Sequence, residues 1–237
     1  IKYASNAFLA TKITFINEVS ELCERLGADV HHVARGMGLD RRIGPKFIHP
    51  GPGYGGSCFP KDTQALAEIA READRPFEVV ETVISVNERV KQRAVDKVVA
   101  ALDGEVSGKT TAILGLSFKP ETDDMRESAA IPLVDRLVAE GATVRAYDPV
   151  SMDNARSILP KDVEYCDSSY DAADGADVLV LLTEWNQFRS LDLDRIKNLL
   201  RRPVVVDLRN VYDPVRMREQ GFIYYAMGRA ALDLPEG

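Results

Sequence analysis

The positions Ala7, Phe8, Thr11, Phe15, Val19, Leu22, Cys23 and Leu26 recur at three- and four-residue steps. That spacing predicts one apolar face of a long helix, which Gly27 would end. No capping signal precedes this helix and the chain opens on Ile1, so the sequence is expected to be cut from something longer. Asp29 is placed to cap a short helix through Val33 and Ala34, closed by Gly36 and Gly38. Residues 39–59, rich in Gly and Pro, read as loop. Pro60 suits the first position of a helix running through TQALAEIARE. A second long amphipathic stretch begins near Pro76 and stops at Gly104.

From Lys109 the period changes. TTAILGL, TVRAYD, DVEYC, DVLVLLT, PVVVDL and FIYYAM are short β-branched or apolar runs, separated by helical segments or turns. Such alternation implies right-handed crossovers and a parallel sheet covered on both faces. The expected fold is α/β. An all-helical domain over residues 1–103 is joined by a long helix to a Rossmann-like domain with a doubly wound parallel sheet over residues 104–237.

Composition narrows the function. The 45% apolar and 28% charged fractions of the 237 residues are ordinary for a soluble globular protein. A net charge of −7 argues against a generic nucleic-acid or membrane surface. No run approaches the ~18 apolar residues of a membrane span. Cys23, Cys58 and Cys166 are odd in number and match no zinc or disulfide spacing, so a reducing, cytoplasmic setting is expected.

The stretch GPGYGGSCFPKD, Gly51 to Asp62, carries the candidate chemistry. Gly51, Gly53 and Gly56 satisfy G-x-G-x-x-G, but a dinucleotide turn needs a strand before it and a helix opening inside it. His49-Pro50 biases the chain to extended loop, and the helix is expected only at Pro60. The glycines instead allow positive φ and close backbone approach, and deliver Cys58 to a helix N-terminus, whose dipole favours a thiolate. Lys61 adds positive charge. Asp62 is either a water-holding group or simply a favourable first-turn acid. Lys2 and Asn6, four apart, stack on one side of the first helix. In the second domain ILGLSFKP departs from the glycine fingerprint after Gly115, yet its place at a strand C-terminal end suits a nucleotide. Asp148 either meets a ribose or starts a turn, and Trp185 reads as core.

GPGYGGSCFPKD resembles the active-site signature of the UDP-glucose 6-dehydrogenases, within the wider nucleotide-sugar dehydrogenase family. The resemblance extends through IKYASNAFLATKITFINEVSELC, RRIGPKFIHP, ILGLSFKPETDDMRES, VLLTEW and VVDLRN, essentially the whole chain. It implies a sequence that starts in the helical middle of a three-part, NAD-dependent enzyme. That enzyme oxidises the C6 alcohol of UDP-glucose to a carboxylate, using two NAD. By resemblance Cys58 is the covalent nucleophile, Lys2 and Asn6 support the oxygen on the reacting carbon, and Asp62 handles the hydrolytic water. Substrate contacts are implied for Lys2, Asn6, Phe47, Ile48, His49, Pro50, Gly51, Gly55, Phe118, Lys119 and Arg209. Arg42 would reach the substrate of a neighbouring subunit. Lys61 and Arg126 match remaining NAD contacts. Sister specificities, for a UDP-N-acetylhexosamine or GDP-mannose, stay open, as does a non-catalytic module that binds nucleotide sugar and dimerises through its helices. The 237-residue fragment itself is expected to be inactive.

Overall fold

A computed structural model describes residues 1–230. Four helices come first: α1 (Lys2–Leu26), α2 (Val30–Gly38), α3 (Phe59–Glu72) and α4 (Glu78–Ala101). Gly27 ends α1 in the left-handed region at φ 70°, as a C-terminal glycine should. The Asp29 side chain caps α2 by accepting from the His31 N–H at 2.7 Å. Gly36 lies inside α2 rather than closing it. The third helix begins one residue earlier than Pro60 suggests, at Phe59, which makes Cys58 its N-cap residue.

The apolar stripe of α1 divides between two faces. Ala7, Ala10, Thr14, Ile16, Asn17, Ser20 and Cys23 are buried against the chain's own helices. Phe8, Phe15, Leu22 and Leu26 point outward, with exposures of 67, 53, 55 and 71%. The one-face reading therefore fails: a 25-residue helix carries an inward stripe of small residues and an outward stripe of large ones.

Six strands follow: β1 (Thr110–Leu114), β2 (Thr143–Tyr147), β3 (Glu164–Tyr165), β4 (Val178–Leu181), β5 (Val204–Asp207) and β6 (Ile223–Ala226). All pair in parallel, in the order β3-β2-β1-β4-β5-β6. This is the doubly wound order, and its direction reverses between β1 and β4, where the strand C-termini open a crevice. Alternate residues of β1 feed opposite layers: Ile113 joins the core shared with α4 and α5 (Ala130–Ala139), whereas Ala112 and Leu114 face the layer holding Ala172, Ala173, Leu193 and Ile196. Ala94, Val95, Val98 and Ala101 in the last turns of α4, and Leu102 just after it, also belong to the sheet's core. That helix ties the two halves together. The short helix Asn186–Arg189 was not anticipated.

Candidate functional site

Residues 46–58 contain no strand, so the glycine spacing at 51–56 does not form a dinucleotide turn. Its glycines serve close packing instead. A Cβ on Gly55 would stand 2.4 Å from the Glu127 carbonyl oxygen. One on Gly56, whose φ is +79°, would stand 2.6 Å from the Phe118 ring. The Gly56 N–H donates to the Arg126 carbonyl at 2.7 Å. The loop is thereby pressed onto residues 118–127, which follow β1. Two buried asparagines hold its other side. Asn17 Oδ1 accepts from the Gly51 N–H at 2.9 Å, and Asn87 both accepts from the Tyr54 N–H (2.8 Å) and donates to the Tyr54 carbonyl (3.1 Å). Asn87→Ala leaves two buried backbone groups unpaired and is expected to cost about 1–3 kcal/mol. A denaturant midpoint unchanged by the substitution would contradict this.

At the end of the loop Cys58 is exposed. Its carbonyl accepts the Asp62 N–H at 2.8 Å, the first turn of α3. The Asp62 side chain is fully buried; its Oδ2 accepts from Asn6 Nδ2 at 2.6 Å and pairs with Lys2 Nζ at 3.2 Å. Lys61 Nζ lies 3.7 Å from Oδ1, which has no hydrogen-bond partner among the described residues. Burial pushes the Asp62 carboxyl up, but the Asn6 and Lys2 hydrogen bonds outweigh it and hold the group below 3.8. Lys2 is raised above 10.5 by its hydrogen bond to Asp62, and the Cys58 sulfur is near enough to add a smaller share. The predicted residues Lys2, Asn6, Cys58 and Asp62 thus form one cluster between the start of α1 and the start of α3.

Because the Asp62 carboxyl is depressed, its contribution to stability is complete above its unfolded value near 3.8 and is lost as pH falls through the lower folded value. Asp62→Asn is therefore expected to unfold more easily than the parent near neutrality. That difference should close only in strong acid. A difference that closes between about pH 7 and pH 5 would contradict the assignment.

Beside this cluster lies a cavity of about 410 Å³ at the β1/β4 crevice. Of the predicted residues, Phe47, His49, Gly55, Phe118, Lys119 and Arg209 line it. Phe59 joins the cavity to the thiol, packing edge-on against Phe47 (6.1 Å) and Tyr54 (6.0 Å). Phe47 sits at φ 64°, a left-handed conformation that costs a bulky residue energy and is found where a site over-determines the backbone. Arg209 braces three segments: it donates to the Leu182 and Phe118 carbonyls at 2.9 Å each and pairs with Glu184 at 3.1 Å. Gly51 touches the cavity only through Arg209, since a Cβ there would be 3.2 Å from its guanidinium.

Other predicted residues stand apart. Ile48, 2% exposed, belongs to the core with Ile16, Cys23 and Val30, and Pro50 is buried outside the cavity lining. Arg42 is held by its neighbour Asp40 at 2.6 Å, with 89% of its side chain exposed, and does not reach the cavity. Lys61 and Arg126 are exposed cations; Arg126 pairs with Asp124 at 2.9 Å and lies near Cys58. Asp148 is fully buried and spent on the backbone, accepting from Leu116, Val150 and Ser151 and from the Trp185 indole, so it starts a turn rather than meeting a ribose. Gly115, at φ 90°, lets β1 pass Thr183 at a distance no side chain would permit, and no helix starts until Ala130. Cys23 and Cys166 are buried, which pushes both thiols up.

Ile13, Lys46, Tyr54, Phe59 and Glu184 also line the cavity, and no spacing in the sequence singles them out. All five sit inside or next to the motifs named above. Asn17 and Asn87 carried a different signal, a polar side chain on a buried helix stripe.

The family model for the UDP-glucose/GDP-mannose dehydrogenase family, central domain, matches residues 1–89, and the model for that family's UDP binding domain matches residues 112–214. A UDP-glucose 6-dehydrogenase of Rhizobium meliloti is 53% identical over 97% of this chain and 52% of its own length. Among solved structures, a UDP-glucose dehydrogenase from Pyrobaculum islandicum is 38% identical with a TM-score of 0.86, covering 97% of this chain and 50% of that one. A UDP-D-ManNAc dehydrogenase from Pyrococcus horikoshii is 29% identical with a TM-score of 0.80, covering 96% and 50%. The chain spans about half the length of the curated relatives it matches. It carries the central and UDP-binding domains of the UDP-glucose/GDP-mannose dehydrogenases, and it belongs to that family.

Proposed function

We propose that this chain is the substrate-holding and covalent half of an NAD-dependent UDP-glucose 6-dehydrogenase, with residues 1–103 as the helical catalytic domain and residues 104–237 as the UDP-binding domain. The observation that carries the reading is the Lys2–Asn6–Cys58–Asp62 cluster opening beside a cationic cavity at the switch point of a doubly wound sheet. Lys119 and Arg209, with Lys46 and His49 on the facing loop, suit a diphosphate. Phe47, Tyr54, Phe59 and Phe118 supply flat apolar walls for a base or sugar.

NAD, when bound, supplies the oxidising power, two molecules each accepting one hydride from C6. The exposed cations Lys61 and Arg126 beside Cys58 fit contacts to such an anionic group. No strand–glycine–helix fingerprint is present among the described residues to hold a dinucleotide alone. This chain's residues handle the carbon between the oxidations. The Cys58 sulfur adds to the C6 aldehyde and its carbonyl oxygen takes a proton, giving a thiohemiacetal. Lys2 and Asn6, oriented by Asp62 Oδ2, donate toward the oxygen on C6 as negative charge develops there. At the thioester stage Asp62 Oδ1, which has no hydrogen-bond partner among the described residues, would accept from a water that attacks the carbonyl carbon. The sulfur leaves, and the carboxylate and the thiol are released.

A thermal-shift panel tests the substrate. UDP-glucose is expected to stabilise the 237-residue chain most, by about 2.7 kcal/mol at a hundredfold excess over Kd. A larger response to GDP-mannose or a UDP-N-acetylhexosamine would reassign the sugar. The same sample is expected to form no NADH.

The outward stripe Phe8, Phe15, Leu22 and Leu26 on α1, with Val79 beside it, supports a homodimer through the helices. Phe15→Glu is expected to shift the mass in light scattering from dimer to monomer. A monomeric parent would contradict this. Three free cysteines support a reducing, cytoplasmic setting. No helix among the described residues is long and apolar enough to cross a membrane, and the net charge of −7 argues against nucleic acid.

A further inference from the structure

All three histidines of the chain, His31, His32 and His49, line a second cavity of about 400 Å³ together with Arg35. Helix α2 makes this possible. Its Asp29 cap fixes the start, and His31 and Arg35, four apart, then share a face with His32 next to them. The opposite wall is Pro45 and the loop Ile48-His49-Pro50. Among the described residues no carboxylate lines the cavity. The acid closest in the network is Asp29, already engaged by the His31 N–H and by Arg229 at 3.1 Å. His31 is half-buried, and burial, with Arg229 next, holds its imidazole below 6.5; Asp29 opposes that, while His49 and His32 add to it. A cavity walled by three imidazoles and a guanidinium gains positive charge on acidification, with no lining carboxylate among the described residues to neutralise it. His49 lines the larger cavity as well.

We propose that this histidine cavity is a second anion site, taking a small tetrahedral oxyanion such as sulfate or phosphate and coupled to the larger cavity through His49. The site needs nothing from the sugar-nucleotide assignment; only the coupling rests on it.

Sulfate is the probe, because it stays doubly charged across the range in which an imidazole ordinarily gains its proton. Its binding is followed by the NMR signals of the His31 and His32 rings. Affinity is expected to be about tenfold tighter at the acid end of that range, and to fall by a similar factor in Arg35→Gln and in His31→Gln/His32→Gln. The exposed Arg35 can be changed without touching the core, so its variant keeps the test decisive if the double variant misfolds. A parallel titration with glucose 1-phosphate distinguishes a free oxyanion from a phosphate carried on a larger molecule. UDP added to the sulfate-loaded protein should shift the apparent sulfate affinity, and by reciprocity sulfate should shift that of UDP by the same factor. Independent binding with both His signals responding would remove the coupling and leave the site. Neither anion moving the His31 or His32 signals, or equal affinity at both ends of that range and in Arg35→Gln, would overturn the site itself.

Discussion

Cys58→Ala is expected to lower UDP-glucuronate formation by the full protein at least about 10³-fold while leaving UDP-glucose affinity within about twofold. The asymmetry follows from the geometry. The sulfur sits at the N-cap of α3, exposed and outside the lining of the larger cavity, whereas nucleotide affinity is assigned to Phe118, Lys119 and Arg209. Removing the sulfur takes away the atom that would hold C6 between the two oxidations and leaves the cavity walls in place. Cys58→Ser retains a nucleophile of the same shape but far weaker character, so slow turnover with a persistent acylated enzyme, visible by mass spectrometry, is the expected companion result. An alanine variant that still makes glucuronate at near-parental rate would remove Cys58 from the chemistry. One that loses UDP-glucose binding altogether would make it structural.

Gly56→Ala should damage the loop in two ways. Its φ of +79° costs an L-residue about 1 kcal/mol, and the new methyl would stand 2.6 Å from the Phe118 ring. Relieving that overlap means moving Phe118 or the loop, for about 1–3 kcal/mol more. Phe118 is also a cavity wall and its carbonyl holds Arg209, so the displacement reaches the proposed nucleotide contacts. Loss of both stability and UDP affinity is expected, read by denaturant unfolding and calorimetry. A variant with parental values of both would show that the loop does not lean on Phe118. Gly27→Ala provides a contrast: it has positive φ but no neighbour within 4 Å of the added carbon, so strain alone should register and UDP affinity should not change.

The sheet was legible in the sequence because each strand is a short β-branched run between turn residues, and alternation with helices admits few topologies. Even DVEYC, reduced to the two-residue strand Glu164–Tyr165, was placed. The helix Asn186–Arg189 was not, since four residues carry no period. Period alone also could not say that α1 has two apolar faces, because a helical wheel does not distinguish a partner in the same chain from one in another. The start of α3 moved by one residue because proline is tolerated at either of the first positions.

Within the site, the chemistry-bearing residues stand out as a motif, and the structure brings Lys2 and Asn6 to Asp62 across 56 positions or more. What the motif hid is orientation. In Phe47-Ile48-His49-Pro50 neighbouring positions turn apart: Phe47 faces the larger cavity, Ile48 the helical core, and His49 both cavities. Asn17 and Asn87 escaped because a hydrogen bond to a distant loop has no local spacing.

If Cys58 holds C6 between the two oxidations, the C6 end of bound UDP-glucose lies over its sulfur, and brief iodoacetamide labelling with peptide mass spectrometry reads this out. Cys58 is exposed while Cys23 and Cys166 are buried, so Cys58 should alkylate first. Saturating UDP-glucose should slow that labelling, and UDP alone, which has no C6, should slow it less. Equal labelling of Cys58 with and without UDP-glucose, under conditions where binding is independently saturated, would contradict the account.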